Sequence, residues 1–276
     1  MNALRRILGD GLRILRTVGR HDDQAAIHRL FHLLRQPKYQ PGKVTWRGRT
    51  LHYTDGPALY YQLGDIYQHH VYDFGCEHAA PRILDIGANL GLATIRFREL
   101  FPAARITAFE ADPSIGQVLK TNLETFGDKQ TEVITAAAWI SEGHSNFKSN
   151  GDDSGHLAAD GGVQIPTVDL AAYCHETIDF MKLDVEGAEF DLIAHLQATN
   201  TLRHVRRLFV EMHAWDPAVS PRFHDLLAVL ASAGFHYRIT SASTFPHGAQ
   251  GPRFDTLKTA TSLATVHAWR QDGGVA

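Results

Sequence analysis

The chain has 276 residues, 44% apolar, 21% charged and 9% aromatic, the profile of a soluble globular protein rather than a disordered or fibrous one. Its two cysteines, Cys76 and Cys174, stand far apart with no Cys-x-x-Cys pair, which argues against a disulfide framework or a zinc ribbon and makes a reducing cytoplasm the simplest setting. The net charge of −3 hides an asymmetry: residues 1–50 carry 11 basic and 3 acidic side chains, and residues 51–276 carry 16 and 27. A basic arm attracts an anionic partner or pairs with the acidic body. Nucleic-acid binding is not expected, because basic residues cluster only in that arm. No apolar run reaches the roughly 20 residues of a membrane span, and the N-terminus lacks the apolar core of a secretion signal.

In chain order, Leu4, Ile7, Leu8, Leu12, Leu15 and Val18 recur at helical spacing with arginines between them, so residues 3–18 form an amphipathic helix with a basic face. Its apolar side suits a homodimer contact, its own domain or a membrane interface. A second helix is expected near 23–35, and Val44–Tyr53 reads as a β-hairpin turning at Arg47-Gly48-Arg49. Residues 58–74 are rich in Tyr and His, and a boundary near residue 80 separates an N-terminal helical and hairpin extension (1–80) from the main domain (81–276).

Beyond Pro81, strands alternate with helices: strands at 82–86, 105–110, 132–137, 178–183, 207–212, 235–240 and 261–269, helices at 90–100, 114–125, 188–196 and 221–233. Alternation of this kind predicts an α/β fold with a doubly wound, mostly parallel sheet. The glycine-rich stretch 141–162 is expected to be turns and a mobile segment, suited to a lid, rather than packed structure.

The strongest chemical signal is Arg82-Ile-Leu-Asp-Ile-Gly-Ala-Asn-Leu-Gly91, an apolar strand ending in an acid and a glycine turn that leads into a helix. Gly87 and Gly91 allow a sharp turn and close ligand approach, and N–H groups at a helix start hold polar or anionic groups. Glu110 ends the next strand, where a carboxylate can accept hydrogen bonds from both ribose hydroxyls. Together these point to a nucleoside. The dinucleotide fingerprint Gly-x-Gly-x-x-Gly is absent, which disfavours a nicotinamide-dependent oxidoreductase.

Asp85-Ile-Gly-Ala-Asn-Leu-Gly91, Phe109-Glu-Ala-Asp-Pro113, Lys182-Leu-Asp-Val-Glu-Gly-Ala-Glu189 and Val210-Glu-Met-His213, in this order and spacing, resemble the FkbM family of S-adenosylmethionine-dependent methyltransferases. The likeness covers residues 80–215 well, extends weakly to Asp65-Ile-Tyr-Gln, and says little about residues 1–50 or the last 40. It implies a class I methyltransferase (Rossmann-like) fold, S-adenosylmethionine as cofactor, and O-methylation of a hydroxyl on a sugar or secondary metabolite, so the partner is a small-molecule or glycan acceptor. Carried over by motif, Asp85, Gly87, Asn89 and Gly91 surround the methionine part of the cofactor, Glu110 binds the ribose and Asp112 lies near the adenosine. Ala137 follows the third strand, where adenine should sit, though packing alone also favours a small residue there. Asn89 replaces the middle glycine of the general class I pattern.

A second cluster, Lys182, Asp184, Glu186 and Glu189, falls at a strand end and helix start on the edge that faces the ligand crevice. His213 follows a strand beside it, and an unperturbed imidazole, with a pKa near 6.5, is the first-choice general base for a hydroxyl. The catalytic candidates are therefore His213, Asp184 and Lys182. Asp184, Glu186, Glu189, Glu211 and His213 also suit a divalent ion, but all have other roles at a helix start and strand edge, so no metal is expected. His69, His70, Tyr67 and Tyr72 either line an acceptor pocket or form an aromatic packing layer. A non-catalytic S-adenosylmethionine-binding module acting through a partner is the alternative; loss of the Asp184 and His213 edge would mark it, and that edge is intact.

Overall fold

The computed structural model describes residues 23–148, 155–158, 161–214, 219, 222–245 and 261–271; the helix expected over 3–18 lies outside the described residues. After a helical stretch over 23–29 and a 3-10 turn at Phe31–Arg35, the chain forms the hairpin β1 (Gly42–Trp46) and β2 (Arg49–Tyr53). Trp46 pairs with Arg49, and Arg47 and Gly48 between them both have positive φ, the backbone of a two-residue hairpin turn. Helix α1 (Gly56–Leu63) is capped by Asp55, whose side chain accepts from the Ala58 N–H, and runs on into a π-helical turn at Gly64–Gln68.

The main sheet takes seven strands: β3 (Arg82–Ile86), β4 (Arg105–Phe109), β5 (Glu132–Ile134), β10 (Phe180–Leu183), β11 (Arg207–Ala214), β12 (His236–Phe245) and β13 (Thr261–Trp269). Their spatial order is β12-β13-β11-β10-β3-β4-β5, parallel from β11 to β5, with β13 antiparallel to both neighbours. The middle strands are buried on both faces, which is why they read as near-continuous apolar runs. Helices α2 (Leu92–Leu100) and α3 (Pro113–Thr125) contribute to the clusters around Ile83, Ile106 and Ala108, whereas α4 (Glu189–Ala198) and α5 (Arg222–Ser232) join the cluster around Leu84, Met181 and Val210. The direction of strand addition reverses between β3 and β10, and ligands of open α/β sheets bind at the carboxyl edge of such a reversal.

The N-terminal segment shares this core. Leu33, Trp46, Leu51, Leu59 and Leu63 cluster with Ile83, Phe97, Phe180 and Phe209. Phe74 stacks on Phe180 at 4.6 Å and Tyr72 meets Phe209 edge-on at 4.7 Å. Such ring pairs contribute about 0.5–1.5 kcal/mol each beyond their buried area, enough to fix the backbone that carries Tyr72.

Two expectations are corrected. The strand foreseen over 132–137 is two strands in different sheets: β5 stops at Ile134, and β6 (Ala137–Trp139) pairs with β9 (Val163–Asp169). The segment 141–162, expected as mobile turns, contributes β7 (Gly143–Lys148) and β8 (His156–Ala158) to the four-stranded sheet β6-β9-β7-β8. Polar Ser145 and Asn146 hid this strand; what holds it is ladder pairing to β9 and the burial of Phe147 against Ile165 and Ala137. Among the described residues, no helix is long and apolar enough to cross a membrane.

Candidate active site

At the end of β3 the chain must turn beneath a neighbouring loop. Gly87 has φ +79°, and a Cβ there would stand 1.7 Å from the Asp184 carbonyl oxygen, so only glycine fits between the β3 and β10 loops. The N–H groups of Gly87 and Ala88 both donate to the Phe109 carbonyl, and the Asn89 N–H donates to Glu110 Oε2 at 2.8 Å. Glu110 Oε1 accepts from the Asp112 N–H at 2.9 Å. Each carboxylate oxygen thus retains acceptor capacity. Burial pushes the Glu110 carboxyl up to about 7, against the pull of those two N–H groups.

Gly87, Asn89, Glu110, Asp112 and Ala137 line one cavity of about 450 Å³, within the range of small-molecule sites. Asp112 also caps α3, accepting from the Ser114 N–H at 2.8 Å. Two of the sequence-predicted residues stand behind the wall. Asp85 is fully buried and accepts from Thr94 Oγ1 at 2.6 Å. Gly91, at φ +86°, starts α2 against Leu119. Both brace the turn.

Lys182, Asp184 and His213 line the same cavity from the other side. Lys182 pairs in register with Asp85, donates from Nζ to the Gly87 carbonyl at 2.7 Å, and lies 3.2 Å from Asp184 and 3.7 Å from Asp85. The two carboxylates hold its pKa above the ordinary lysine value despite burial, so it is a charged strut joining the β3 and β10 loops. It has no free amine for proton transfer.

Glu189 starts α4 and is fully buried; its oxygens accept the N–H groups of Val185 at 3.1 Å and Gly187 at 2.9 Å. Oε1 also meets His213 Nδ1 at 2.9 Å, which assigns the Nδ1 proton to that bond and turns Nε2 toward Glu186, 3.6 Å away. Burial opposes charge on the imidazole, but Glu189, Glu186 and Asp184 raise its pKa to about 10. The expectation of a neutral base near 6.5 is therefore corrected: in this environment His213 is an imidazolium at neutral pH. Ligand atoms of Asp184, Glu186 and His213 all lie within 4.8 Å of one another, whereas Glu189 is the residue behind them.

Several lining residues were missed or underweighted in the sequence. Glu211, two positions before His213 on β11, lines the cavity, and burial beside Asp184 raises its carboxyl to about 8. Period-two alternation from His213 identifies it. Tyr72 lines the cavity as well, with its hydroxyl pushed well above the ordinary tyrosine value by burial and by the nearby Asp184 and Glu211 carboxylates. Tyr67 is buried against Trp46, and His70 pairs with Asp73, so those two belong to the packing layer. Tyr61, Gln62 and Asp65 add a wall from α1 and the π-helical turn, a local distortion common at functional sites.

Residues 85–237, more than half of the chain, match the methyltransferase FkbM domain. The 2-O-methyltransferase NoeI of Sinorhizobium fredii is 30% identical over 160 residues, covering 49% of this chain and 64% of that protein. The methyltransferase sdnD of Sordaria araneosa is 25% identical over 206 residues, 59% of this chain and 78% of that one. Among solved structures, the methyltransferase FkbM from Methylobacillus flagellatus KT superposes with a TM-score of 0.43 at 13% identity, covering 89% of this chain and 60% of that one. The chain belongs to the FkbM family of S-adenosylmethionine-dependent methyltransferases.

Proposed function

We propose that the protein transfers a methyl group from S-adenosylmethionine to a hydroxyl oxygen of a small sugar or secondary metabolite, free or as part of a glycan. The observation that carries this reading is one cavity with Glu110 and the Gly87 turn on one side and Tyr72, Asp184 and Glu211 on the other. The residues suit the cofactor. Glu110 has acceptor capacity for two ribose hydroxyls, and Ala136, Ala137 and Ala138 leave space beside it. The cavity is lined by seven carboxyl groups, Asp55, Asp65, Glu110, Asp112, Asp184, Glu186 and Glu211, against the cations Lys38, Lys182 and His213, which favours a ligand with cationic groups. When bound, S-adenosylmethionine supplies an electrophilic methyl on a positively charged sulfur.

The chain's own part is alignment. Lys182 ties the cofactor turn to the Asp184 loop, so the two walls keep a fixed spacing, and in-line approach is the chief requirement of the transfer. Tyr72 and Asp184 hold the acceptor hydroxyl, and Glu211 receives its proton in its ionised form, which prevails above a pH of about 8. His213 keeps Glu186 and Glu189 in place as their counter-ion. The 2-O-methyltransferase activity in the name of one relative supports oxygen as the acceptor atom. Asp65, Gln62 and Tyr61 meet the remainder of the acceptor.

The test is calorimetric titration with S-adenosylhomocysteine, with NAD as control, followed by a screen of sugars and metabolite hydroxyls with methyl-labelled cofactor. Micromolar binding that collapses in Glu110→Ala, and label recovered on oxygen, support the reading. A preference for NAD, or label on nitrogen or carbon, overturns it.

A further inference from the structure

We propose that Asp184, Glu186 and His213 form a binding site for a first-row divalent cation, of the Mn²⁺ to Zn²⁺ type, on the acceptor wall of the cavity. This rests on the methyltransferase reading for its purpose but not for its chemistry. Two carboxylates and one imidazole, with ligand atoms mutually within 4.8 Å, offer a mixed oxygen and nitrogen donor set that suits such an ion better than Ca²⁺. They leave coordination positions open toward the cavity that all three line.

Two observations from outside the triad point the same way. First, Glu189 lies behind His213, is fully buried, and is held by the N–H groups of Val185 and Gly187 while it takes the Nδ1 side of the imidazole at 2.9 Å. A carboxylate behind a histidine, fixing the tautomer and ring orientation, is the usual support of a metal-bound imidazole. Second, Tyr72 lines the same cavity, so its hydroxyl can donate to an oxygen held on the ion. The excess of carboxyl groups over cationic side chains around the cavity leaves room for a dication beside a cofactor of small net charge.

Metal binding displaces the proton from His213 Nε2 to solvent. The acceptor hydroxyl then occupies an open position, where the ion polarises it. Its O–H bond breaks with the proton passing to the ionised Glu211 carboxylate on the same cavity wall. The oxygen pair forms the O–CH₃ bond as the C–S bond breaks, and that bond's electron pair stays on sulfur.

The experiment uses the full chain stripped with a chelator. Mn²⁺ binding is followed by the loss of the free-ion electron paramagnetic resonance signal and by calorimetry, with Zn²⁺ in parallel, and S-adenosylhomocysteine binding is measured on the same samples. Expected are one saturable Mn²⁺ per chain and a loss of about tenfold to 100-fold in affinity in Glu186→Gln and in the supporting variant Glu189→Gln. S-adenosylhomocysteine binding in Glu186→Gln stays within about threefold of the parent, a change of less than 1 kcal/mol, which also reports that the variant folds. Cofactor binding without Mn²⁺ or Zn²⁺ binding, or metal binding untouched by Glu186→Gln, overturns the site and leaves the methyltransferase reading standing. Metal binding lost in Glu186→Gln, in a parent chain that does not bind S-adenosylhomocysteine, supports the site and removes that reading instead.

Discussion

The two walls of the cavity are built by different means. The wall with Glu110 comes mainly from one stretch, residues 87–112, and is fixed by short hydrogen bonds from backbone N–H groups: Asn89 and Asp112 onto Glu110, and Gly87 and Ala88 onto Phe109. The opposite wall gathers Asp65, Tyr72, Asp184 and Glu211 from distant parts of the chain and is fixed by ion pairs, aromatic contacts and a π-helical turn. On the proposed reading, the shared ligand is held by backbone geometry that a short motif can encode, and the variable ligand by side chains that can change without disturbing that motif.

Lys182 belongs to both walls, so its loss is the sharpest way to break the contrast. Lys182→Met leaves Asp85 and Asp184 without their buried cation and should destabilise the protein by about 3–5 kcal/mol, read from denaturant unfolding. An unchanged midpoint would mean that the strut is dispensable. Glu110→Ala acts on one wall: S-adenosylhomocysteine affinity should fall by about 1–3 kcal/mol in calorimetry. An affinity matching the parent's would remove Glu110 from the ribose role.

A pH series sharpens the same wall. Because the Glu110 carboxyl titrates at about 7 in the folded protein, above its ordinary 4.5, the folded chain holds a proton there that the unfolded chain has released. This contribution to stability is fully present below pH 4.5 and is lost as pH rises to 7. Ribose hydroxyls need the ionised form, so cofactor affinity should rise about tenfold per unit as pH approaches 7 from below and then level off. A flat profile between pH 5.5 and 8 would contradict the assignment, and Glu110→Ala should abolish the slope. The smallest effect belongs to the outer wall: Tyr61 is 63% exposed, so Tyr61→Ala should shift stability by less than about 0.5 kcal/mol and leave S-adenosylhomocysteine binding unchanged. Any loss should appear only in turnover of an acceptor.

The contrast also explains what the sequence reveals. The strands 82–86 and 105–109 are legible because each is an apolar run stopped by a glycine or acid, and Gly87, Asn89 and Glu110 follow from local turn chemistry. The sheet β6-β9-β7-β8 is not legible, since Gly143–Lys148 is largely polar and its pairing with β9 and β8 makes it a strand. The position of His213 is legible, but its charge is not: the carboxylate that sets it, Glu189, lies 24 residues away and meets it only through the fold. Asp65 falls where the likeness is weak, and a π-helical turn leaves no simple periodicity to place it.

The missing side chain at Gly87 has a mechanical consequence. With the Gly87 backbone seated under the Asp184 carbonyl and Lys182 pinned to both loops, the two halves of the pocket are tied into one frame. On the proposed reading, the gap that an acceptor bridges is then set by the spacing of these two loops. Selection among acceptors becomes a matter of reach: a hydroxyl that stops short of the methyl by a fraction of an ångström is rejected by the frame itself.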